Sequence, residues 1–257
     1  MCTISRKLIS TGIIIQARID SSRYPGKALK PLMGMPAILH VIERCKQMKH
    51  CDVVILATTD RKLDDDLAEV SRGSGIELYR GNVRDVLDRY YQCAKSYGLT
   101  NVIRVTGDCP LIDIDISSKV IAIFLRGSYD YVRTGPTYPD GLNTEVFSFN
   151  SLMNAWINAK LYSEREHVTP YLWKNGDKFS TLSVESKIDL SRFNFALDYP
   201  EDLAFIRKLF EKLYHLNHMF GLDAILDLLG KNKDLFDEMP KPKRYEGYYR
   251  SLKQDPP

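Results

Sequence analysis

Short β-branched apolar runs alternate with amphipathic stretches along the first half of the chain. These runs predict strands at 12–17, 52–59, 76–79 and 101–106. Apolar residues recurring at helical spacing predict helices at 36–48, 63–73, 83–97 and 117–125. Because strands and helices alternate with short connections, we expect an α/β fold whose parallel sheet is covered by helices on both faces.

The pattern weakens after residue 130. Strands are predicted at 131–132, 145–149 and 180–184, and helices at 151–161, 200–213 and 222–229. No Gly/Ser-rich linker separates the two halves, so the sequence predicts one domain over 1–257 with an embedded, less regular subregion. The last stretch, 241–257, begins basic and aromatic, and we expect it to be mobile or to drape over the surface.

Composition and charge exclude several classes of protein. The 36 Lys and Arg against 33 Asp and Glu give a formal charge of +3, too small for a dedicated nucleic-acid or membrane-surface protein. No apolar run approaches the roughly 20 residues of a membrane helix, and none near Arg6 and Lys7 is long enough for a signal peptide. The cysteines are Cys2, Cys45, Cys51, Cys93 and Cys109. Their odd number and the lack of CxxC spacing predict buried thiols in a cytoplasmic protein, not disulfides or a zinc site.

Three fixed positive charges follow the first predicted strand within one loop. Arg18, Arg23 and Lys27 lie beside Ser21, Ser22 and Gly26, which let the backbone approach a ligand. Guanidinium forks, an ammonium, hydroxyls and backbone N–H groups together suit a polyphosphate. The loop lacks the Gly-x-x-x-x-Gly-Lys-Ser/Thr pattern of a Walker A loop. A solvated basic loop is the alternative interpretation.

Single aspartates follow two later apolar stretches. Asp108 lies on a Gly–Asp turn after strand 101–106, at the sheet edge where the basic loop is also expected. Mg²⁺ usually binds one or two protein carboxylates and completes its shell with water and phosphate, so Asp108 is a candidate ligand. A turn aspartate that caps the backbone is the alternative. Asp198 follows a predicted apolar strand, and it is either a second metal ligand or the start of the helix entered through Pro200.

Two further segments are dense in hydrogen-bonding side chains. Residues 140–145 and 164–170 are candidates to hold a hydroxylated acceptor, and His167 within the second is either an acceptor ligand or a structural histidine. Asp113 and Asp115 form an Asp-x-Asp pair, which suits the metal site of a glycosyltransferase. Capping of the following helix is the alternative explanation for Asp115.

The basic loop and several later motifs together resemble the cytidylyltransferase superfamily, which activates acidic sugars. Within it they are most similar to the spore coat polysaccharide biosynthesis protein F-like branch. The motifs are Gln16-Ala-Arg-x-x-Ser-Ser-Arg-x-Pro-Gly-Lys27, Asp64-Asp65, Arg80-Gly81, Asp85-Val-Leu-Asp-Arg-Tyr-Tyr91, Thr106-Gly-Asp-Cys-Pro-Leu-Ile112, Asp140-Gly, Glu145-Val-Phe147, Arg165-Glu-His-Val-Thr-Pro170, and Leu197-Asp198 with Glu201-Asp202-Leu203. The resemblance extends over residues 12–210. One departure is Asp20, where such loops more often carry a small or neutral residue.

This resemblance implies a Rossmann-like, three-layer nucleotidyltransferase fold of the GT-A-like type, with a mixed, mostly parallel sheet and an embedded irregular subregion. It also implies transfer of CMP from CTP to a sugar-like acceptor, with Mg²⁺ as cofactor and release of pyrophosphate. Residues 12–125 would then bind the nucleotide, and 126–240 would bind the acceptor and mediate dimerisation. A homodimer is expected that binds no nucleic acid and does not insert into membranes.

The resemblance further implies roles for individual residues. The implied catalytic residues are Arg18, Lys27 and Asp108, and the implied metal ligands are Asp108 and Asp198. The implied nucleotide-binding residues are Gln16, Ala17, Arg18, Ser22, Arg23, Lys27, Arg80, Gly81, Asp85 and Thr106. The implied acceptor-binding residues are Asp140, Glu145, Arg165 and His167. Arg133 and Arg165 are the candidates to meet the carboxylate of an acidic acceptor.

Two other functions remain open at this point. A glycosyltransferase of related fold would depend on Asp113 and Asp115 for its metal, whereas cytidylyl transfer would depend on Asp108. A non-enzymatic module would use the basic aromatic tail to bind nucleic acid or an anionic surface. The sequence does not identify the acceptor, which is a sugar acid, another sugar, a sugar phosphate or a phosphonate.

Overall fold

A seven-stranded sheet and a small hairpin contain the strands of residues 10–256, the part of the chain that this computed structural model describes. The strands are β1 (Thr11–Gln16), β2 (Pro31–Leu32), β3 (Met35–Pro36), β4 (Val53–Thr59), β5 (Glu77–Gly81), β6 (Asn101–Thr106), β7 (Tyr131–Thr134), β8 (Glu145–Ser148) and β9 (Thr181–Val184). Strands β2 and β3 form the hairpin, and the sheet order is β5-β4-β1-β6-β8-β7-β9. Strand β8 is antiparallel to both neighbours, while the other neighbouring pairs are parallel. The predicted mixed, mostly parallel sheet is therefore confirmed.

The helices agree with the predicted alternation, with two corrections. They are α1 (Ala37–Lys46), α2 (Asp65–Gly73), α3 (Val86–Ser96), α4 (Ile114–Arg126), α5 (Phe149–Asn158), α6 (Tyr162–His167), α7 (Pro170–Lys174), α8 (Pro200–Leu213), α9 (Leu222–Lys231), α10 (Lys233–Asp237) and α11 (Glu246–Leu252). The predicted helix 151–161 ends early because Ala159 has extended backbone angles, and α6 starts anew. Helix α4 is capped by Asp113 and not by Asp115, since the Asp113 carboxylate accepts from the N–H groups of Asp115 (3.0 Å) and Ile116 (2.9 Å).

Side chains of the central strands alternate between two helical layers. Ile13 and Ile15 of β1 belong to the core that includes α1, α2 and α4, whereas Ile14 belongs to the core that includes α3 and α5. All three isoleucines are fully buried, as a strand covered on both faces requires. The three-layer arrangement inferred from the motifs is therefore present.

A third core cluster lies beside these layers and fixes the approach to residue 198. Phe195 and Leu197 are buried in it together with apolar side chains of α8 and α9. The predicted strand before Asp198 is instead a segment outside the sheet, and an isolated bridge joins its Asn194 to Asp140. Backbone contacts of this segment decide where Asp198 lies.

The cysteines that the structure describes are free thiols. Cys45, Cys93 and Cys109 are buried, as predicted, and Cys51 is half-buried. The predictions that concern Cys2, Arg6 and Lys7 fall outside the described residues. Across residues 10–256, no helix combines the length and the apolar character that a membrane span needs.

Candidate active site

A cavity of ≈ 590 Å³ opens at the carboxyl ends of β1 and β6, the sheet edge where the sequence predicts a ligand site. The predicted site residues that line it are Gln16, Ala17, Arg18, Ser22, Arg23, Lys27, Thr106, Asp108, Asp140, Glu145, His167 and Asp198. Arg133 also lines it. Arg80, Gly81, Asp85 and Arg165 lie outside this lining.

Gly107 lets the turn after β6 fold closely onto the end of β1. Its N–H donates to the carbonyl of Gln16 at 2.8 Å. A Cβ at residue 107 would lie 2.6 Å from Cδ1 of Ile38 and 2.9 Å from Cβ of Ala17, closer than side-chain atoms pack. This close approach places Asp108 next to the basic loop.

The ammonium of Lys27 lies between two carboxylates. Its Nζ donates to Oδ2 of Asp108 at 2.6 Å and to Oδ1 of Asp198 at 2.7 Å, and Arg23 pairs with the same oxygen of Asp198. Burial opposes ionisation of Asp108, but the Lys27 ammonium outweighs it and holds the pKa of Asp108 below its ordinary value. Burial likewise opposes the charge on Lys27, but the two carboxylates raise the pKa of Lys27 above its ordinary value. Asp108 and Lys27 are therefore both charged at neutral pH.

Backbone contacts bring Asp198 to this position. The N–H of Leu197 donates to the carbonyl of Asp108 at 2.8 Å, which joins the two segments directly. Asp202 caps the first turn of α8 by accepting from the N–H groups of Asp198 (2.9 Å) and Tyr199 (2.7 Å). Because Asp202 does the capping, the side chain of Asp198 is left for the site. The sequence left two roles open for Asp198, a metal ligand or the start of the following helix. The geometry favours the metal ligand.

The carboxylates of Asp108 and Asp198 form a donor set that fits Mg²⁺. Their oxygens already meet around one cationic group, and Mg²⁺ takes one or two carboxylates with water and phosphate oxygens as its other ligands. Within residues 10–256, no cluster of three or more His, Cys, Asp or Glu side chains is arranged to hold a metal by itself. A metal at this pair would therefore need oxygens from a bound phosphate or from water.

Arg18, the remaining cation of the basic loop, reaches the opposite wall of the cavity. Its Nη2 lies 3.3 Å from Oε1 of Glu166 in α6. The loop is therefore ion-paired inside a cavity, which disfavours the alternative of a solvated basic loop. Asp20, the departure from the family pattern, pairs with Arg61 at 2.6 Å and lies outside the cavity lining. The hydrogen bond from Arg61 lowers the pKa of Asp20.

Glu145 organises the polar floor of the cavity. Its carboxylate pairs with Arg104 and accepts from the hydroxyl of Tyr131 and from Oγ1 of Thr169, the latter at 2.7 Å. Burial opposes its ionisation, but Arg104 outweighs burial and lowers the pKa of Glu145. Arg104 also donates through Nε to Oε1 of Gln16 at 3.2 Å. The network thereby connects β1, β6 and β8 beneath the ligand site.

Asp140 begins a tight turn at the cavity wall. Its Oδ1 accepts from the N–H of Gly141 at 3.1 Å and from Nδ2 of Asn143 at 3.0 Å, while burial raises the pKa of Asp140. Gly141 has φ +89°, and a Cβ there would lie 2.4 Å from the carbonyl carbon of Phe195. Only glycine lets this turn pack against the segment that leads to Asp198.

The four predicted site residues outside the cavity lie around two ion pairs. Arg80 pairs with Asp65 at 2.7 Å, which ties β5 to α2. Gly81 is the last residue of β5. Arg165 donates through Nε to Asp85 at 2.9 Å, which ties α6 to the start of α3. Their roles in nucleotide and acceptor binding stay predictions.

The Asp-x-Asp pair is also outside the cavity lining. Asp113 is 6% exposed, and besides capping α4 it accepts from the N–H of Leu222 at 2.8 Å. Asp115 lies exposed in the first turn of α4. A metal at Asp113 would have to displace these hydrogen bonds, so the geometry does not favour the glycosyltransferase alternative.

Sequence reasoning missed part of the cavity wall. Arg104 was detectable as a charge inside an otherwise apolar strand. Glu166 lies between Arg165 and His167, which were both predicted site residues, but it was not itself predicted. The tail was expected to be mobile or to drape over the surface, but its contact with the site was not predicted: residues 243–248 line the cavity, and α11 begins among them at Glu246. The many aromatic residues of the tail were the available signal.

His167 is held as a neutral imidazole. Burial lowers the pKa of His167 from 6.5 to about 4, and its Nε2 lies 3.0 Å from Oγ of Ser251. The unfolded chain protonates this residue below pH 6.5, whereas the folded chain does so only near pH 4. Its contribution to stability is therefore complete above pH 6.5 and is lost as the pH falls toward 4.

We expect the His167→Asn variant to show a smaller decrease in the free energy of unfolding between pH 6.5 and 4 than the wild type. Urea denaturation at several pH values measures this difference. Parallel pH profiles for the two proteins would contradict the neutral, buried state of His167.

The chain has three layers, a cationic loop after the first strand and a carboxylate pair at the same sheet edge. These features define an α/β protein of the nucleotidyltransferase class. The match to a family model identifies the family within this class. The model described as cytidylyltransferase matches residues 12–227, so the chain belongs to the cytidylyltransferase family.

Two relatives and one solved structure are similar to this chain over most of its length. The chain is 37% identical over 227 residues to the uncharacterized protein MJ1063 of Methanocaldococcus jannaschii, covering 86% of this chain and 91% of the relative. It is 30% identical over 234 residues to the spore coat polysaccharide biosynthesis protein SpsF of Bacillus subtilis, covering 88% and 96%. The structure of a cytidylyltransferase from Leptospira borgpetersenii is similar with a TM-score of 0.84 and 29% identity, over 88% of this chain and 96% of that one. The resemblance inferred from the motifs is confirmed.

Proposed function

We propose that this chain transfers the CMP group of CTP to a hydroxyl of a sugar-like acceptor, with Mg²⁺ as cofactor, in the synthesis of a surface polysaccharide or glycoconjugate. Membership of the cytidylyltransferase family supports CTP as the donor. Similarity to a spore coat polysaccharide biosynthesis protein supports a sugar-like acceptor. The observation that carries the proposal is the position of Lys27 between Asp108 and Asp198 beside a cationic loop.

In the proposed reaction an acceptor oxygen attacks the α-phosphorus of CTP. A bond forms between that oxygen and the phosphorus, and the bond from the phosphorus to the bridging oxygen of the β-phosphate breaks. Pyrophosphate leaves with the bonding electron pair, and the proton of the acceptor hydroxyl passes to water. Such transfers depend chiefly on positioning and on stabilising the charge of the phosphates.

The ion pairs of the free site provide the groups for this stabilisation. Mg²⁺ held by Asp108 and Asp198 would supply positive charge to the phosphate oxygens. Lys27 and Arg23, which now neutralise these carboxylates, would then turn to the triphosphate, as would Arg18 from Glu166. Guanidinium groups bind phosphate oxygens through paired N–H donors, and the ammonium binds them as a compact charge.

Arg133 is the candidate for an anionic group of the acceptor. It lines the cavity, and it makes no ion pair with any residue that the structure describes, unlike the three cations of the loop. Arg165, the other candidate, is occupied by Asp85 outside the lining. An unpaired cation in a cavity wall supports an acceptor that carries a carboxylate or phosphate.

Pyrophosphate release tests the proposal. The four ribonucleoside triphosphates are each combined with Mg²⁺ and with 3-deoxy-manno-octulosonate, a sialic acid, a neutral hexose, a sugar phosphate and a phosphonate. We expect release with CTP and an acidic acceptor, and loss of release after removal of Mg²⁺ by EDTA. Calorimetry that detects no heat for any ribonucleotide at saturating Mg²⁺ would overturn the proposal. The expected homodimer and cytoplasmic location stay predictions.

A further inference from the structure

The C-terminal strap (residues 243–255) lies beyond the part of the chain that the family model matches, which ends at residue 227. Even so, most of its residues up to Gln254 line the same cavity as the basic loop and the carboxylate pair. It consists of a short irregular stretch followed by α11. The strap therefore shapes the site although it lies outside the region that the family shares. Relatives can differ in such a segment, and with it in the ligand that they accept.

Both ends of the strap are anchored to the half of the chain predicted to bind the acceptor. At its start, the Arg244 guanidinium donates to the carbonyls of Pro136 and Tyr138. At its end, the Asp255 carboxylate accepts from the N–H of Ser163 at 2.8 Å and from its hydroxyl at 2.6 Å. The strap is therefore held across the cavity from the loop after β7 to the start of α6.

The middle of the strap packs onto site residues. The hydroxyl of Tyr199 donates to Glu246 at 2.7 Å, and Tyr199 follows the carboxylate at position 198. A Cβ on Gly247 would lie 3.3 Å from Nη1 of Arg23 and 3.6 Å from Cε1 of His167, so the strap backbone itself touches these side chains. The ring of Tyr248 packs edge-on against His167 with centroids 5.5 Å apart. The strap thus closes one side of the cavity without filling it.

Two strap residues, Arg244 and Tyr245, bring polar groups to the cavity that Arg133 also lines. The Nε of Arg244 is buried and has no hydrogen-bond partner among the described residues. A buried donor without a partner costs free energy unless a ligand or a water molecule accepts its hydrogen bond. Tyr245 contacts Arg133 through its hydroxyl, and it has φ +58°, a left-handed conformation that persists for a tyrosine only where the surroundings hold it. Tyr245 thus contacts the cation that has no carboxylate partner, and Arg244 lines the same cavity.

We propose that the C-terminal strap forms the acceptor-side wall of the active site, and that Arg244 and Tyr245 are specificity-determining residues for an anionic acceptor. The inference rests on the proposed function, because it assumes that the cavity receives an acceptor beside the nucleotide. The strap contacts residues within 133–174 and 199–201, and in the basic loop it contacts Arg23. We therefore expect it to affect binding of the acceptor much more than binding of CTP.

The test uses full-length Arg244→Gln and Tyr245→Phe variants, with Lys253→Ala as the matched control because Lys253 is a cation next to α11 outside the cavity lining. Pyrophosphate release is measured at saturating Mg²⁺ and CTP against the acidic acceptor from the panel above that gives the wild type its highest turnover. Losing a hydrogen bond to a charged group predicts an increase in the acceptor KM of about tenfold or more in both variants. The Kd of CTP, measured by calorimetry with Mg²⁺, is expected to change less than about threefold, and the control to behave as the wild type.

If the enzyme is active and the acceptor KM is unchanged in both variants, the proposal that the strap forms the acceptor-side wall is overturned, while the proposed function stands. An increase in the Kd of CTP as large as the increase in KM would also overturn it, because the strap would then belong to the nucleotide half. If the wild type releases no pyrophosphate with any nucleotide and acceptor, the proposed function is overturned. The proposed role of the strap, which rests on that function, is then overturned as well. The two failures are therefore distinguishable.

Discussion

We expect CMP transfer to fall about 10²–10³-fold when Asp108 is exchanged for asparagine, the loss that follows from removing one group that stabilises charge on the reacting phosphates. The amide keeps the shape of the side chain but removes a carboxylate that is ionised at neutral pH. Lys27 retains Asp198 at 2.7 Å as a partner, so we expect the fold to persist. Pyrophosphate release at saturating CTP and Mg²⁺ measures the loss, and circular dichroism melting checks the fold.

Asp115→Asn is the matched control for this exchange. Asp115 is also an aspartate, but it lies exposed at the start of α4, outside the cavity lining. We expect wild-type turnover from this variant. Intact turnover in Asp108→Asn would contradict the proposed mechanism. Sugar transfer from a nucleotide-sugar donor that is lost in Asp115→Asn but kept in Asp108→Asn would instead support the glycosyltransferase alternative.

The position of the candidate active site was predictable because parallel strands end at one edge of a sheet. That rule alone places the loop at 18–27 beside the turn at 107–110, and the structure confirms the juxtaposition. The distance between Asp108 and Asp198 was not predictable. It depends on the hydrogen bond from Leu197 to the carbonyl of Asp108, which joins residues far apart in the chain and leaves no periodic pattern in the sequence.

Motifs could not separate charged residues that line the cavity from charged residues that lie outside it and join elements. Arg80 and Arg165 stand in motifs as prominent as that of Arg23, yet each is occupied by an aspartate outside the cavity lining. A charged side chain in a loop has the same sequence signature whether its partner is a ligand or a neighbouring helix. Only the three-dimensional position of the partner decides between these roles.

The strap shows a second limit of sequence reasoning. Its contacts, such as Arg244 with the carbonyl of Tyr138, join residues 106 positions apart. A short polar and aromatic segment has no hydrophobic periodicity from which such docking is read. The excess of tyrosine was informative about packing, but not about which surface the segment covers.

Lys27→Met is expected to have the second large effect, because it removes the one ammonium that both carboxylates share. The side chain of Lys27 is only 10% exposed, and removing one partner of a buried ion pair typically costs about 3–5 kcal/mol. Asp108 would lose its main compensating charge, while Asp198 would retain Arg23. We therefore expect a lower melting temperature in the absence of metal, and a loss of CMP transfer of about 10²-fold or more.

The same variant separates metal binding from catalysis. If Asp108 and Asp198 hold Mg²⁺, the metal displaces the Lys27 ammonium from both carboxylates in the wild type, whereas in Lys27→Met only Arg23, at Asp198, still competes with it. Mg²⁺ should therefore raise the melting temperature of Lys27→Met more than that of the wild type. Lys30→Met is the matched control, since Lys30 lies near the same loop but outside the cavity lining, with its ammonium over the ring of Tyr24. If Mg²⁺ raises the melting temperature of all three proteins equally, Lys27 does not compete with the metal. Asp108 and Asp198 would then not be its ligands, because Lys27 lies between these two carboxylates.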